Sequence, residues 1–145
     1  MIRRVLVVCI GNICRSPMAE GLFRQAVPGV QISSAGMSAL VGHAADPLAI
    51  QIMADAGVDI SRHRARMLTD AIARDADLIL VMDDMQKQQV TIQYPYARGK
   101  VFRLAEASKQ DIPDPYRQAP EMFQEVFSLV QTGVTEWTRR INSIG

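Results

Sequence analysis

Apolar positions along this chain fall into short unbroken runs and longer stretches spaced by threes and fours, and the two patterns alternate. Arg4 to Val8 is an uninterrupted aliphatic run, as in a strand buried on both faces. "VQISSAG" (Val30 to Gly36) reads as a second strand, "DLILVM" (Asp77 to Met82) as the clearest buried one, and "KVFRL" (Lys100 to Leu104) as the last. Pro17 suits the first turn of a helix that runs to about Ala26 and stops before Pro28 and Gly29. Asp46 caps another, with Pro47 at its first position and Gly57 just past its end. Asp83 or Asp84 caps the next, which fades before Tyr94 and Pro95. In the final helix, entered at Pro120, Phe123, Val126, Phe127, Val130, Val134, Trp137 and Ile141 share one face. Gly133 within it lowers helix propensity by about 1 kcal/mol against Ala.

Strands alternating with helices predict an α/β fold. The expectation is a single domain over residues 1–145, a four-stranded parallel sheet with helices on both faces, joined by right-handed crossovers. No repeat, linker or low-complexity segment interrupts it. Ligands in such folds bind at the carboxyl ends of strands, and Cys9 stands at the carboxyl end of the first.

Composition narrows the class. With 145 residues, 48% hydrophobic and 21% charged, the chain can bury a core. A net charge of +1 implies no general attraction to nucleic acid or acidic membranes, so any anion site must be local. The basic segment "SRHRARML" (Ser61 to Leu68) is either a solvated loop or a substrate-facing rim. Two cysteines are too few for a secreted disulfide scaffold. No signal peptide is recognised, and no apolar stretch approaches the roughly 20 residues of a membrane span. A monomeric cytoplasmic protein without stable membrane association is expected.

The stretch "VLVVCIGNICRSP" (Val5 to Pro17) carries the chemistry. A loop leaving a strand and entering a helix can point several amide N–H groups inward as an anion nest, with the helix dipole behind them. Gly11 permits unusual backbone angles, and Asn12 tolerates them better than most residues. Arg15 adds a planar fork matched to two phosphate oxygens. A free thiol has a pKa of about 8.5, and an electropositive site lowers it to roughly 3.5–7.5. Cys9 therefore reads as a thiolate nucleophile beneath an oxyanion cradle, and the loop between first strand and first helix as phosphate-binding. C-x5-R alone is weak, but the flanking strand and helix with Gly11, Asn12, Ser16 and Pro17 make it specific. A zinc site from Cys9, Cys14, His43 and His63 matches no structural zinc spacing. The nucleotide pattern G-x-x-x-x-G-K-[ST] is absent. Neither a metal nor a cofactor is expected.

"CIGNICRSPMAEGLF" resembles the active-site signature of the low-molecular-weight protein-tyrosine phosphatases, and "DPY" (Asp114 to Tyr116) their general-acid motif. "ISSAG" and "HRAR" resemble further family segments, and length and element order fit throughout. The resemblance implies that Cys9 attacks phosphorus and forms a phosphocysteine. Arg15 and the amides of Ile10, Gly11, Asn12, Ile13, Cys14 and Arg15 would hold the equatorial oxygens. Asp114 would protonate the leaving phenolate and then serve as base for water. Standing alone, Asp-Pro is a common turn signal, and Asp111 is the fallback acid. Asn12, Ser16, Ser34 and His63 match residues that hydrogen-bond together and hold the loop, and Ser16 also matches one that stabilises the departing thiolate. His43 is read as solvent-exposed. Cys14 is either simple loop packing or a partner that captures oxidised Cys9 as a disulfide.

Three other activities fit the sequence less well. Arsenate reductases of this fold need further cysteines downstream, and none follows Cys14. Phosphoarginine phosphatases that resemble this loop carry threonine where Ile13 stands. A non-catalytic phosphate binder would not need both a thiol and Asp114. Leu40 and Tyr116 are expected on the pocket walls; Leu40 stands where eukaryotic relatives tend to carry an aromatic, and Tyr116 is followed by Arg117 rather than a second tyrosine. The "SAG…SALVG" segment and that single tyrosine resemble bacterial members paired with tyrosine autokinases of capsule or exopolysaccharide export. A phosphotyrosine protein, the tyrosine-rich tail of such a kinase, is the expected partner, with "RHRAR" or Arg117 drawing acidic groups on it.

Overall fold

The structure is a computed structural model that describes residues 1–144; Gly145, the last residue of the expected domain, lies outside the described residues. Four parallel strands form one sheet in the order β2-β1-β3-β4. They are β1 (Arg4–Cys9), β2 (Gln31–Gly36), β3 (Leu78–Val81) and β4 (Val101–Arg103). Strand β1 pairs with β2 from Arg4↔Gln31 to Cys9↔Gly36 and with β3 from Val5↔Leu78 to Val7↔Leu80.

Alternation along β1 explains why both faces are covered. Val5, Val7 and Cys9 face one core with α1 (Arg15–Ala26), α2 (Pro47–Asp55) and α5 (Pro120–Ile144). Leu6 and Val8 face a second core with α3 (Asp70–Asp75) and α4 (Asp84–Gln93). All seven apolar positions read for the last helix are buried. Gly133 is buried too, because a Cβ there would sit 2.7 Å from the Leu104 side chain and 2.9 Å from its carbonyl oxygen. The propensity cost thus permits a close helix-to-loop approach.

The expected caps form: Asp46 accepts the Leu48 N–H at 2.9 Å and Asp83 the Gln86 N–H at 2.7 Å. Gly57 takes φ +83° just past α2. Differences lie at element ends and in short elements. Helix α1 begins at Arg15, two residues before Pro17, which still falls in the first turn where its missing N–H is tolerated. Helix α3 was not anticipated: six residues show no helical period, and its start rests on Thr69 Oγ1 accepting the Ile72 N–H.

The sheet order places β1 between strands reached in opposite directions, so a cleft opens at the carboxyl ends of β1 and β3. No helix among the described residues is long and apolar enough to cross a membrane.

Candidate active site

Cys9 ends β1 and is buried; the loop beyond it turns on Asn12, which takes φ +58°. This corrects the expectation for Gly11, whose φ is not in the left-handed region and where a Cβ would meet only Ile13 at 3.7 Å. Asn is among the few side chains that tolerate such a φ, and here its amide is used at once, as shown below. Gly36 at the end of β2 is the glycine the loop requires. A Cβ there would lie 2.5 Å from the Ile10 carbonyl oxygen and 3.0 Å from Asn12 Cβ.

The loop carbonyls point outward. Those of Cys9, Ile10 and Gly11 accept from the amides of Met37, Ser38 and Leu40 at 3.0, 3.0 and 3.1 Å. The Asn12 carbonyl accepts from His63 Nε2 at 2.6 Å and that of Ile13 from the Asp46 N–H at 2.8 Å. With the carbonyls taken from outside, the N–H groups of residues 10–15 turn inward and have no protein acceptor among the described residues. Helix α1 adds to this field. Cys14 makes no side-chain cap at its start, and its first turn carries no acidic residue.

Arg15 is nearly fully buried. One Nη1 donates to the Ile112 carbonyl at 2.8 Å and lies 4.0 Å from Asp83 Oδ2, while Nη2 lies 3.6 Å from Asp114 Oδ2. Its Nε is buried without a hydrogen-bond partner among the described residues. A buried, orphaned guanidinium N–H costs about 1–3 kcal/mol or more, which an anion in the cleft would offset. Asp114 is half-exposed, and its Oδ1 accepts the Tyr116 N–H at 3.1 Å in a turn stiffened by buried Pro115.

Behind the loop the polar side chains form a closed network. Asn12 Nδ2 donates to Ser16 Oγ at 2.7 Å and to Ser34 Oγ at 3.0 Å, and Asn12 Oδ1 accepts the Arg66 N–H at 2.9 Å. Ser16 Oγ lies 2.9 Å from Cys9 Sγ. Ser34 donates to Glu20, which also pairs with Arg24. His63 reaches the Asn12 carbonyl; because a carbonyl only accepts, Nε2 carries the hydrogen. The four residues matched to the loop network thus stand together.

A cleft of about 160 Å³ is lined by Cys9, Ile10, Gly11, Ile13, Cys14, Arg15, Ser38, Leu40, Asp114 and Tyr116. Leu40 and Tyr116 are among its lining residues, and Arg117 lays its guanidinium 5.1 Å over the Tyr116 ring. Cys14 is a free, buried thiol beside Cys9; burial first and Asp46 second push its pKa up, so it stays protonated at neutral pH.

Two expectations need correction. Asp111 is not a reserve acid: its Oδ1 accepts the Asp84 N–H and an Arg103 Nη1, and it does not line the cleft. The basic segment does not form a substrate rim. Arg62, His63, Arg64 and Arg66 line a separate groove with Glu20 and Arg24, and Arg66 Nε is spent on the Ser34 carbonyl. His43 is exposed, and no cluster of His, Cys, Asp or Glu among the described residues is placed to hold a metal. Ser38, Asp83 and Glu20 were missed. Only Glu20 had a signal, since Ser16, Glu20 and Arg24 recur every four residues and so share one face of α1.

Comparison with known proteins agrees with this geometry. Residues 4–144 match the family model described as low molecular weight phosphotyrosine protein phosphatase. The chain is 52% identical over 145 residues, all of both chains, to a protein of Ralstonia nicotianae named probable low molecular weight protein-tyrosine-phosphatase EpsP. It resembles the solved tyrosine phosphatase Wzb of Escherichia coli K30 in complex with sulphate (39% identity, TM-score 0.94, covering 97% of this chain and 99% of that one). It also resembles Vibrio vulnificus Wzb in complex with benzylphosphonate (36% identity, TM-score 0.94, 97% and 99% covered). The chain belongs to the low-molecular-weight protein-tyrosine phosphatase family.

Proposed function

We propose that this phosphatase hydrolyses phosphotyrosine through a phosphocysteine on Cys9. One observation carries the reading: inward amides, a buried thiol and an orphaned Arg15 Nε converge on one cleft. Cys9 Sγ bonds to phosphorus as the bond to the phenolic oxygen breaks. Charge gathering on the equatorial oxygens is met by the amides of Ile10 to Arg15 and by the Arg15 guanidinium, both already in place. Asp114 gives its proton to the leaving oxygen, and its carboxylate then takes a proton from the attacking water. In that second step the S–P bond breaks and sulfur leaves as thiolate beside Ser16 Oγ. Ser34 and His63 act by holding Asn12.

The walls favour an aromatic ester. Buried Cys9 shares the cleft with Ile13, Leu40 and the more exposed Tyr116, which give it apolar walls. A phosphoserine is too short to span those walls and still present phosphorus to sulfur. Ile13, lacking a hydrogen-bonding group, also gives a phosphoarginine guanidinium nothing to pair with. Benzylphosphonate, the ligand of the Vibrio relative, has the same arrangement of a ring beyond a phosphorus group. Cys14 lines the same cleft, and once a peroxide has oxidised Cys9 to a sulfenic acid the Cys14 thiol can condense with it, giving a disulfide and water.

The target we propose is the tyrosine-rich tail of a bacterial autokinase of capsule or exopolysaccharide production, met in the cytoplasm by a monomeric phosphatase. The "SAG…SALVG" segment and the lone Tyr116 support it by resemblance, and Arg117 at the rim suits acidic neighbours of the target tyrosine. Equimolar enzyme assayed on phosphotyrosine, phosphoserine and phosphoarginine peptides, and on such a kinase, should release phosphate only from the tyrosine substrates. Comparable rates on phosphoarginine would overturn the substrate reading; activity on peptides with none on the kinase would remove the partner.

A further inference from the structure

Glu20 is a buried carboxylate that the reaction above does not use, and it stands at the far end of a chain of polar groups leading to Cys9. The direction of each hydrogen bond in that chain is fixed by what its partners can give. Asn12 Oδ1 accepts the Arg66 N–H, so Asn12 Nδ2 is the amide end that carries two hydrogens. They go to Ser16 Oγ and Ser34 Oγ. Ser34 therefore accepts from Asn12 and spends its one hydrogen on a Glu20 carboxylate oxygen. Ser16 likewise accepts from Asn12, and its hydrogen is left for the sulfur 2.9 Å away. Arg24 pairs with the second oxygen of Glu20 and donates also to the Ile32 carbonyl, which holds the carboxylate from the solvent side.

Removing that carboxylate frees the Ser34 hydrogen. The hydroxyl can then swing its lone pair away from Asn12 Nδ2, and the amide loses one of the hydrogen bonds that hold it. The loss reaches Ser16 through two hydrogen bonds without any change in the cleft itself.

We propose that Glu20 is a positioning residue for the phosphatase reaction: its carboxylate sets the donor direction through Ser34 and Asn12 so that the Ser16 hydroxyl presents its hydrogen to Cys9 sulfur. The inference rests on the phosphocysteine reading. Its effect falls on the second step, where water oxygen bonds to phosphorus, the S–P electron pair leaves on sulfur, and the Ser16 hydrogen bond stabilises that thiolate while Asp114 takes the water proton.

The test uses an aryl phosphate with an acidic phenol, for which breakdown of the phosphoenzyme limits turnover. Glu20→Ala should lower kcat about tenfold, the scale of one hydrogen bond to a charged group, and lower KM in proportion, so that kcat/KM, which reports transfer to Cys9, stays within about a factor of two. Ser16→Ala should lose at least as much. The double variant should be no slower than Ser16→Ala, because a chain without its last hydroxyl has nothing to orient. If Glu20→Ala does not fold, Ser34→Ala cuts the same chain and should show the same non-additivity with Ser16→Ala. Losses that multiply in the double variant would overturn the proposal, since Glu20 would then support only loop shape. Cys9→Ser is assayed alongside: activity there would overturn the phosphocysteine reading instead, which keeps the two failures apart.

Discussion

On the cleft side of the loop from Ile10 to Arg15, the amides and the Arg15 Nε have no partner among the described residues, whereas on the reverse side each carbonyl from Cys9 to Ile13 accepts a hydrogen bond and the side chains of Asn12, Ser16 and Ser34 are all engaged. The contrast shows how an anion site is kept open. Unpaired buried donors each cost about 1–3 kcal/mol, and a free loop would rotate to satisfy them. Here the outward carbonyls are locked by Met37, Ser38, Leu40, Asp46 and His63, so the peptide planes cannot turn. The donors stay aimed into the cleft, and little reorganisation is left for the moment of reaction.

The two sides should fail differently. The largest effect belongs to the cleft: Cys9→Ser should lose turnover by about 10⁴-fold or more, because a serine hydroxyl stays protonated at neutral pH. Calorimetry should still detect phosphate binding, as the amides and Arg15 remain. A variant that neither turns over nor binds phosphate would mean that the cradle depends on the thiol, and the separation of sides would collapse.

Asp114→Ala comes next. In kcat/KM, which reports transfer to Cys9, it should cost about 10²–10³-fold with phosphotyrosine and far less with an aryl phosphate whose phenol is already acidic, since a good leaving group does not need the proton. Equal losses on both would make Asp114 a structural partner of Arg15, consistent only with their 3.6 Å contact.

The smallest effect on rate, with the clearest effect on stability, is expected on the reverse side. Asn12→Ala removes three side-chain hydrogen bonds and leaves a Cβ-bearing residue at φ +58°. Urea denaturation should show a loss of about 2–3 kcal/mol, with Asn12→Gly milder by about 1 kcal/mol because glycine accepts that φ. Activity should fall in both. If both variants unfold like the parent, the reverse-side network is not what holds the loop.

Much of this was legible in the sequence because it is local. The aliphatic runs, the seven apolar positions of α5 and the caps at Asp46 and Asp83 are decided by spacing over a few residues. The loop was legible for the same reason: strand, thiol, arginine and helix start are contiguous. What escaped depends on where a side chain ends up. "RHRAR" is basic on paper, yet Arg66 turns to the Ser34 carbonyl and its neighbours line a groove away from Cys9. Asp111 and Asp114 are three residues apart, and only the path of Ile112 and Pro113 puts one on Arg103 and the other beside Arg15. Asn12 rather than Gly11 takes the left-handed turn because its amide has partners on three sides, two of them from distant segments.

The contact of Ile10 with Gly36 also bears on how the enzyme comes into being. The loop can close only when β1 and β2 are paired in the register Cys9↔Gly36, and its support from His63 and Arg66 arrives from a segment still further along the chain. Parallel pairing across an intervening helix is non-local and therefore slow to form. During refolding, helical signal should return before catalysis does. Recovered activity in this phosphatase is a clock for the sheet.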